Sequence, residues 1–511
     1  MVERRGQDGL HKRLRGLAPR ALANLLRGIE KESLRTNPNG ALAQTPHPPA
    51  LGSALTHPHI TTDFSEAQLE LITSVHSSPE GCLEQLTEIH QFVYRNIGEE
   101  MLWVGSMPCN LPSDADIPIG QYGSSNSARL KTVYRTGLSW RYGRRMQTIS
   151  GIHYNFSVPG TSTEAYFGLI RNFRRHAWLP IYLFGASPAA CTSFVAGRKH
   201  ELQELTKDTL YLPHATSLRM GRLGYQSDAQ SKLAVSYNSL DGYAESLQEA
   251  LTEPYGPYEK IGIKGPDGEY RQLNTTLLQI ENEFYSPIRA KRPVRRGERP
   301  LHALRDRGVE YVEVRLMDLD PFAQVGITTA TMRMLDIVLL HSLLADSPPD
   351  TPAELAAIAR NKLLAAQRGR EPGLLLKKGK EEIALAEWGS QIVAEAEPIA
   401  IALDRAHGGS AYRDALAAGT SVLKEPESAP SARVLHAMAR NHGSSYIRFI
   451  QAMSLVQQGQ VRNLKFPAEI EERFARMAEE SIAEQRAIEE SDSVDFETYR
   501  RQYLSPKLLK V

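Results

Sequence analysis

Glu30 and Glu32 stand two residues apart in Gly28-Ile29-Glu30-Lys31-Glu32-Ser33-Leu34-Arg35. On a strand they share one face, because side chains alternate with period two. Carboxylates held that close repel, so a solvated surface must tolerate them or cations must neutralise them. Three other stretches show the same alternation. In Asp63-Phe64-Ser65-Glu66-Ala67-Gln68-Leu69-Glu70-Leu71, Leu69 and Leu71 alternate with Gln68 and Glu70. In Ile152-His153-Tyr154-Asn155-Phe156, the polar face carries His153 and Asn155. In Tyr311-Val312-Glu313-Val314-Arg315-Leu316, it carries Glu313 and Arg315. Two readings fit: an antiparallel sheet with one wet side, or a sheet whose polar side lines a metal-filled cavity.

The second reading has definite chemistry. Carboxylate oxygens suit hard divalent cations, Mg2+ or Mn2+, and one imidazole is compatible with either. Glu30, Glu32, Asp63, Glu70 and Glu313 in one pocket, with His153, imply more than one ion, since a single Mg2+ usually takes one or two carboxylates. Such ions beside Arg315 are the apparatus of phosphoryl transfer from a nucleotide. No Walker A, dinucleotide fingerprint or kinase glycine loop accompanies them, so an unrelated fold would hold the nucleotide.

The elements that must position these residues form two blocks. Residues 1–325 read as a strand-rich body and residues 326–511 as a helical part packed on it, an α+β organisation. In the first block, residues 10–26 and 79–99 have helical spacing. Residues 164–184 do too, with an aromatic stripe of Tyr166, Phe167, Phe173 and Trp178. Residues 120–127 read as a helix-capping loop. Residues 257–275 give a hairpin signal around Gly265-Pro266-Asp267-Gly268. Gln279, Glu281, Glu283 and Tyr285 alternate against Ile280 and Phe284. The basic run Arg289 to Arg296 reads as a solvated loop, with anion steering as a secondary role. His47, His57 and His59 lie in a proline-rich stretch that reads as a plain loop rather than a metal site. Helices are expected over 327–344, 353–367, 381–407, 431–440 and 469–490.

Composition excludes several classes. Sixty basic against 59 acidic residues give a net charge of +1, which argues against a dedicated nucleic-acid binder. No apolar run approaches a membrane span. Cys82, Cys109 and Cys191 are odd in number and widely spaced, so they read as reduced thiols of a cytoplasmic enzyme. Small-molecule substrates are expected, and nothing calls for more than a monomer.

Six segments carry a resemblance to the proteobacterial type of glutamate–cysteine ligase. They are 28–35, Leu51-Gly52-Ser53-Ala54-Leu55-Thr56-His57-Pro58, 60–66, Gln147-Thr148-Ile149-Ser150-Gly151-Ile152-His153-Tyr154-Asn155-Phe156, 278–285 and 309–315, all in family order. The resemblance implies a glutamine-synthetase-like fold, a curved antiparallel sheet forming a funnel that holds ATP and metals. It implies ATP-dependent ligation of L-cysteine to the γ-carboxylate of L-glutamate through a γ-glutamyl phosphate, the first step of glutathione biosynthesis. By position it puts metal ligands at Glu30, Glu32, Asp63, Glu70, His153 and Glu313, and a phosphate-contacting, catalytic arginine at Arg315 beside Glu313. It puts a cysteine pocket at Phe64, Tyr134, Arg219, Tyr225 and Tyr285. It gives no residues for glutamate and no site in the helical tail. The alternatives are a ligase of the same fold with another amine acceptor and a non-catalytic homologue. All six metal-ligand positions are retained, which weighs against the latter.

Overall fold

The computed structural model describes residues 2–17, 19–224, 229–230, 233–295 and 297–509. Twelve strands are present among them: β1 (Leu26–Thr36), β2 (Ile60–Thr62), β3 (Gln68–Ile72), β4 (Met101–Leu102), β5 (Ile152–Ser157), β6 (Ala189–Cys191), β7 (Gln203–Thr206), β8 (Thr209–Tyr211), β9 (Ile288–Lys291), β10 (Tyr311–Met317), β11 (Leu375–Lys378) and β12 (Glu381–Ala384). Seven form the main sheet in the order β2-β3-β1-β5-β10-β9, with β4 added to β1, and every pairing within it is antiparallel. With its helices this is an α+β architecture.

Register decides which residues share the polar face. Glu30 pairs with His153, Glu32 with Glu70, and Glu313 with both Asn155 and Arg289. Directly opposed residues lie on the same side of a sheet. The alternation seen in each strand therefore adds up to one continuous charged face. The other face carries Ile29, Leu69, Leu71, Tyr154, Phe156, Val312 and Val314, all buried in the largest core cluster.

Helices cover that apolar face. The helix Thr329–Leu344 lies against Thr163–His176, Leu385–His407 and Ala411–Lys424. It is tied to β1 by a fully buried ion pair, Arg27 Nη2 to Asp336 Oδ2 at 3.0 Å. Asp336 also accepts from Tyr154 Oη at 2.7 Å and Tyr412 Oη at 3.2 Å, so one carboxylate joins two strands and two helices. The helix Asn126–Tyr142 starts where residues 120–127 were expected to cap it. Ser125 Oγ accepts from Ala128 N at 3.2 Å.

Four local expectations change. The hairpin over 257–275 is instead a helix, Gly256–Ile261, followed by a turn with a single bridge between Lys264 and Tyr270. Pro257 in the first helical turn starts that helix. The alternating stretch 279–285 is not a strand: Glu281–Glu283 is a 3-10 turn. Residues 381–384 form β12, so the helix begins at Leu385. Cys109 and Cys191, expected as separate thiols, are disulfide-bonded, with Cα atoms 5.2 Å apart; only Cys82 stays free and buried. Nothing in an 82-residue separation shows that β6 runs beside the loop carrying Cys109. No helix among the described residues is long and apolar enough to cross a membrane.

Candidate active site

The polar sheet face floors a cavity of about 990 Å3. Glu30, Glu32, Asp63, Glu70, His153, Glu313 and Arg315 all line it. Donor atoms of Glu30, Glu70 and His153 lie within 4.8 Å of one another. Glu32 and Glu313 approach the same imidazole. Glu32 Oε1 is 3.6 Å from His153 Nε2, and Glu313 Oε1 is 3.9 Å from His153 Nδ1. Asp63 follows β2 directly and reaches the group from the sheet edge.

Each acid has a distinct environment. Glu32 is buried and faces Asp63, which pushes its carboxyl up to about 8. Burial and the charges of Glu30, Asp63 and Glu32 push Glu70 well above the usual carboxylate range. Glu313 is also buried, but Lys291 Nζ at 3.1 Å and Arg315 Nη1 at 3.0 Å hold it well below that range. Burial and Arg315 lower His153, leaving a neutral ring.

The orientation of that ring tests whether a cation fits. Nδ1 stands 3.1 Å from Glu30 Oε2, close enough to donate its proton. Nε2 then carries the lone pair, is buried without a hydrogen-bond partner, and faces the Glu32 carboxyl. A lone pair opposed to a carboxylate is repulsive unless a cation or a proton lies between them. The group therefore fits a hard divalent ion, with Glu30, Glu70 and His153 nearest together. Asn155 Nδ2 to Glu30 Oε1 at 2.9 Å and Gly151 N to Glu32 Oε2 at 2.7 Å fix the outer oxygens.

Phe64, Tyr134 and Tyr285 line the same cavity. Gln147 Nε2 donates to Tyr285 Oη at 3.0 Å. Arg219 is not brought into the lining. It is 1% exposed and donates to the Arg315 carbonyl at 3.0 Å. Its guanidinium packs so tightly on Gly151 that a Cβ there would collide with it. Tyr225 lies outside the described residues.

The sequence missed several lining residues. Arg289 and Lys291 belonged to a run read as a solvated loop, yet their spacing of two on β9 aims both at the cavity. Lys131 and Arg135, spaced i and i+4 on the helix Asn126–Tyr142, also line it. Burial and Arg135 bring Lys131 down to about 8. Glu484, Ile488, Asp492, Tyr499 and Tyr503 reach it from the tail, and no local signal marks them.

A chamber lined by acids, an imidazole and six arginine or lysine side chains (Lys131, Arg135, Arg289, Lys291, Arg295 and Arg315) suits anionic substrates. A family model described as Glutamate-cysteine ligase matches residues 14–364. A glutamate–cysteine ligase of Alcanivorax borkumensis is 46% identical, over 97% of this chain and 99% of its own. One from Pseudomonas entomophila is 47% identical, over 94% and 93%. The crystal structure of a glutamate–cysteine ligase from Francisella tularensis in complex with AMP superposes with a TM-score of 0.90. It is 38% identical and covers 95% of this chain and 99% of its own. A bifunctional glutathione synthetase from Pasteurella multocida gives a TM-score of 0.68 at 25% identity, with 89% and 55% covered. Fold and site thus define a ligase. The chain belongs to the glutamate–cysteine ligase family.

Proposed function

We propose that this protein joins the amine of L-cysteine to the γ-carboxylate of L-glutamate at the expense of ATP, giving γ-glutamylcysteine, ADP and phosphate, the first step of glutathione biosynthesis. The main sheet is then the wall of a glutamine-synthetase-like funnel, and the helical part beyond residue 325 braces it. The reaction belongs in the cytoplasm, where ATP is available. The observation that carries the reading is the convergence of four strands' polar faces on one cavity, in a chain matched along nearly its whole length by relatives of this family.

A carboxylate is a poor electrophile, so its oxygen must first become a leaving group. The γ-carboxylate of glutamate attacks the γ-phosphorus of ATP, ADP departs, and a γ-glutamyl phosphate forms. The cysteine amine attacks the acyl carbon, loses a proton, and phosphate leaves. Glu30, Glu32, Asp63, Glu70, His153 and Glu313 would hold Mg2+ or Mn2+, more than one ion in total. Bound there, the metal supplies charge neutralisation to the crowded anions. Arg315, held by Glu313 at 3.0 Å, lines the cavity and would place its positive charge beside a transferring phosphoryl group. Arg289 and Lys291 extend that positive wall along β9. Phe64, Tyr134 and Tyr285 form the cysteine pocket, with the buried Arg219 guanidinium supplying positive charge to it. Burial raises the Tyr134 and Tyr285 hydroxyls, so both stay protonated and can donate to substrate.

The test is mass-spectrometric identification of the product from glutamate, cysteine, ATP and Mg2+, with other amines run in parallel. γ-Glutamylcysteine is expected with cysteine. Faster turnover of another amine would replace the acceptor assignment, and no ADP release with any amine would overturn the reading.

A further inference from the structure

We propose that Lys131 is the base that takes a proton from the cysteine amine before it attacks the γ-glutamyl phosphate; the proposal rests on the ligase reading above. Cysteine arrives as an ammonium, which has no lone pair to attack with. Two protons must leave its nitrogen before the amide is complete. Lys131, as a neutral amine, takes the first and becomes an ammonium. The freed lone pair forms the C–N bond, and the bond from the acyl carbon to the phosphate oxygen breaks. Phosphate leaves with that electron pair and carries off the second proton as hydrogen phosphate. Lys131 then returns its proton to water.

Four other cations of the lining are tied down. Arg315 and Lys291 pair with Glu313. Arg289 donates to the Asn282 and Phe284 carbonyls, and Arg135 to those of Asp63 and Thr62. Lys131 Nζ makes no hydrogen bond or ion pair among the described residues. It stands 5.1 Å from the Tyr122 ring centroid, with Arg135 over the same ring at 4.6 Å. Its placement suits the task. Lys131 and Tyr134, at i and i+3 on the helix Asn126–Tyr142, occupy neighbouring positions and both line the cavity. Arg135 pins that helix to the segment carrying Asp63 and Phe64. Thr132 Oγ1 donates to the Gly120 carbonyl at 3.1 Å, and Gly120 N donates to the Phe64 carbonyl at 2.9 Å. Lys131 therefore adjoins Tyr134 and Phe64 of the cysteine pocket and is close enough to feel the charge of Glu70.

Burial and the charge of Arg135 bring the Lys131 ammonium down to about 8 from an ordinary 10.5, while Glu70 on β3 opposes the shift. At neutral pH roughly a tenth of the molecules then hold a neutral amine there, about a hundredfold more than for an ordinary lysine. The other bases of the lining are committed. The floor acids and His153 are metal ligands in the ligase reading. Glu283 is paired with Arg141 at 3.0 Å and Glu298 with Arg307 at 2.7 Å. Asp492 accepts from Asn126 N at 2.5 Å. Glu484 reaches the cavity from the tail as an exposed side chain, and an ordinary carboxylate is a weak base toward an ammonium.

The experiment compares wild type, Lys131→Met and Lys131→Arg with two acceptors, cysteine and hydroxylamine. Hydroxylamine is already a neutral amine at neutral pH and needs no base, and its product, γ-glutamyl hydroxamate, reports acyl phosphate formation. Both variants should lose about a hundredfold or more in kcat/KM for cysteine. Hydroxamate formation and the KM values for ATP and glutamate should hardly move. The ratio of wild-type to Lys131→Met kcat/KM for cysteine should rise with pH toward a plateau above about 8, and the cysteine thiol cancels from that ratio. If Lys131→Met does not fold, Lys131→Gln takes its place with the same expectation. Full cysteine turnover in Lys131→Arg would show that only positive charge is needed and overturns the base. Equal losses with cysteine and hydroxylamine place Lys131 before the amine step and overturn it too. A wild type that forms neither product overturns the ligase reading itself, so the two failures are distinguishable.

Discussion

Glu313 is the acid that stays charged. Burial opposes the charge, but Lys291 and Arg315 stand beside it and keep it ionised. Glu313→Gln leaves the packing intact and removes the partner that orients Arg315. Turnover should fall by about a hundredfold or more, the scale of losing one preorganised electrostatic group. The fold should persist by circular dichroism; near-normal kcat in the folded variant would remove Glu313 from the machinery. Glu32 is the opposite case. Its folded carboxyl titrates at about 8 against an ordinary 4.5. Between those values the metal-free protein keeps a proton that the unfolded chain loses. The stability this proton provides is complete below pH 4.5 and is lost as pH rises to 8. Gln at position 32 cannot ionise, so the stability of wild type relative to Glu32→Gln should drop between pH 5 and 8, by up to about 1.4 kcal/mol per pH unit. Chemical denaturation of both proteins in EDTA reads this, and a pH-independent difference would show that Glu32 is ionised throughout. Arg219 tests the cysteine pocket at one remove, because its buried guanidinium holds the Arg315 carbonyl and is outside the cavity lining. Arg219→Lys keeps the positive charge but loses the planar fork. If charge alone is what the pocket takes from Arg219, the KM for cysteine should change by less than about threefold. A rise of about tenfold or more confined to cysteine would show instead that the planar fork reaches the substrate.

At the scale of elements, β1 is fixed from both faces. Its polar side carries Glu30 and Glu32, and Arg27, near its start, is paired with Asp336 on the covering helix. Both groups of that pair are inaccessible to solvent. Arg27→Met would leave Asp336 charged in the interior with only two tyrosine hydroxyls to satisfy it. Breaking a buried pair from one side costs about 3–5 kcal/mol. A fall in Tm of several degrees is expected, and an unchanged Tm would show that the pair contributes nothing net to stability. The strands of this sheet were legible because each buries one face, so apolar and polar residues alternate in β1, β3, β5 and β10. The same alternation misled at 279–285. There Glu281 and Glu283 are buried because ion pairs satisfy them: Glu281 meets Arg299, and Glu283 meets Arg141 at 3.0 Å. A period of two records which side chains are buried, not whether the backbone has a neighbouring strand to pair with. The Cys109–Cys191 link was hidden for a related reason, since it depends on how a loop meets the distant strand β6.

At the scale of the whole molecule, the tail returns to the N-terminal third of the chain, which helical periodicity alone could not reveal. The helix Ala468–Glu490 presses on the loop after Leu51. Ser53 N meets Ser481 Oγ at 2.9 Å, Ser53 Oγ meets Gln485 Oε1 at 2.5 Å, and Thr56 Oγ1 meets the Ser481 carbonyl at 2.6 Å. Leu55 and Thr56 of this loop line the cavity, as do Glu484 and Ile488 of the helix. The approach depends on Gly52, whose φ is +81°. A Cβ there would lie 2.5 Å from Ser481 Oγ and 2.8 Å from Ala478 Cα, so the helix would have to move. Gly52→Ala therefore combines two effects, backbone strain and displacement of a cavity wall. Gly408 separates them. Its φ is +83°, and a Cβ there meets nothing within 4 Å. Gly408→Ala should lose about 1–3 kcal/mol from strain alone, with KM values unchanged. Gly52→Ala should lose more stability than Gly408→Ala and also raise the KM for a substrate lodged against Leu55 and Thr56. If both variants lose equal stability and both keep wild-type kinetics, the tail only covers the loop, and the cavity takes its shape from the sheet alone.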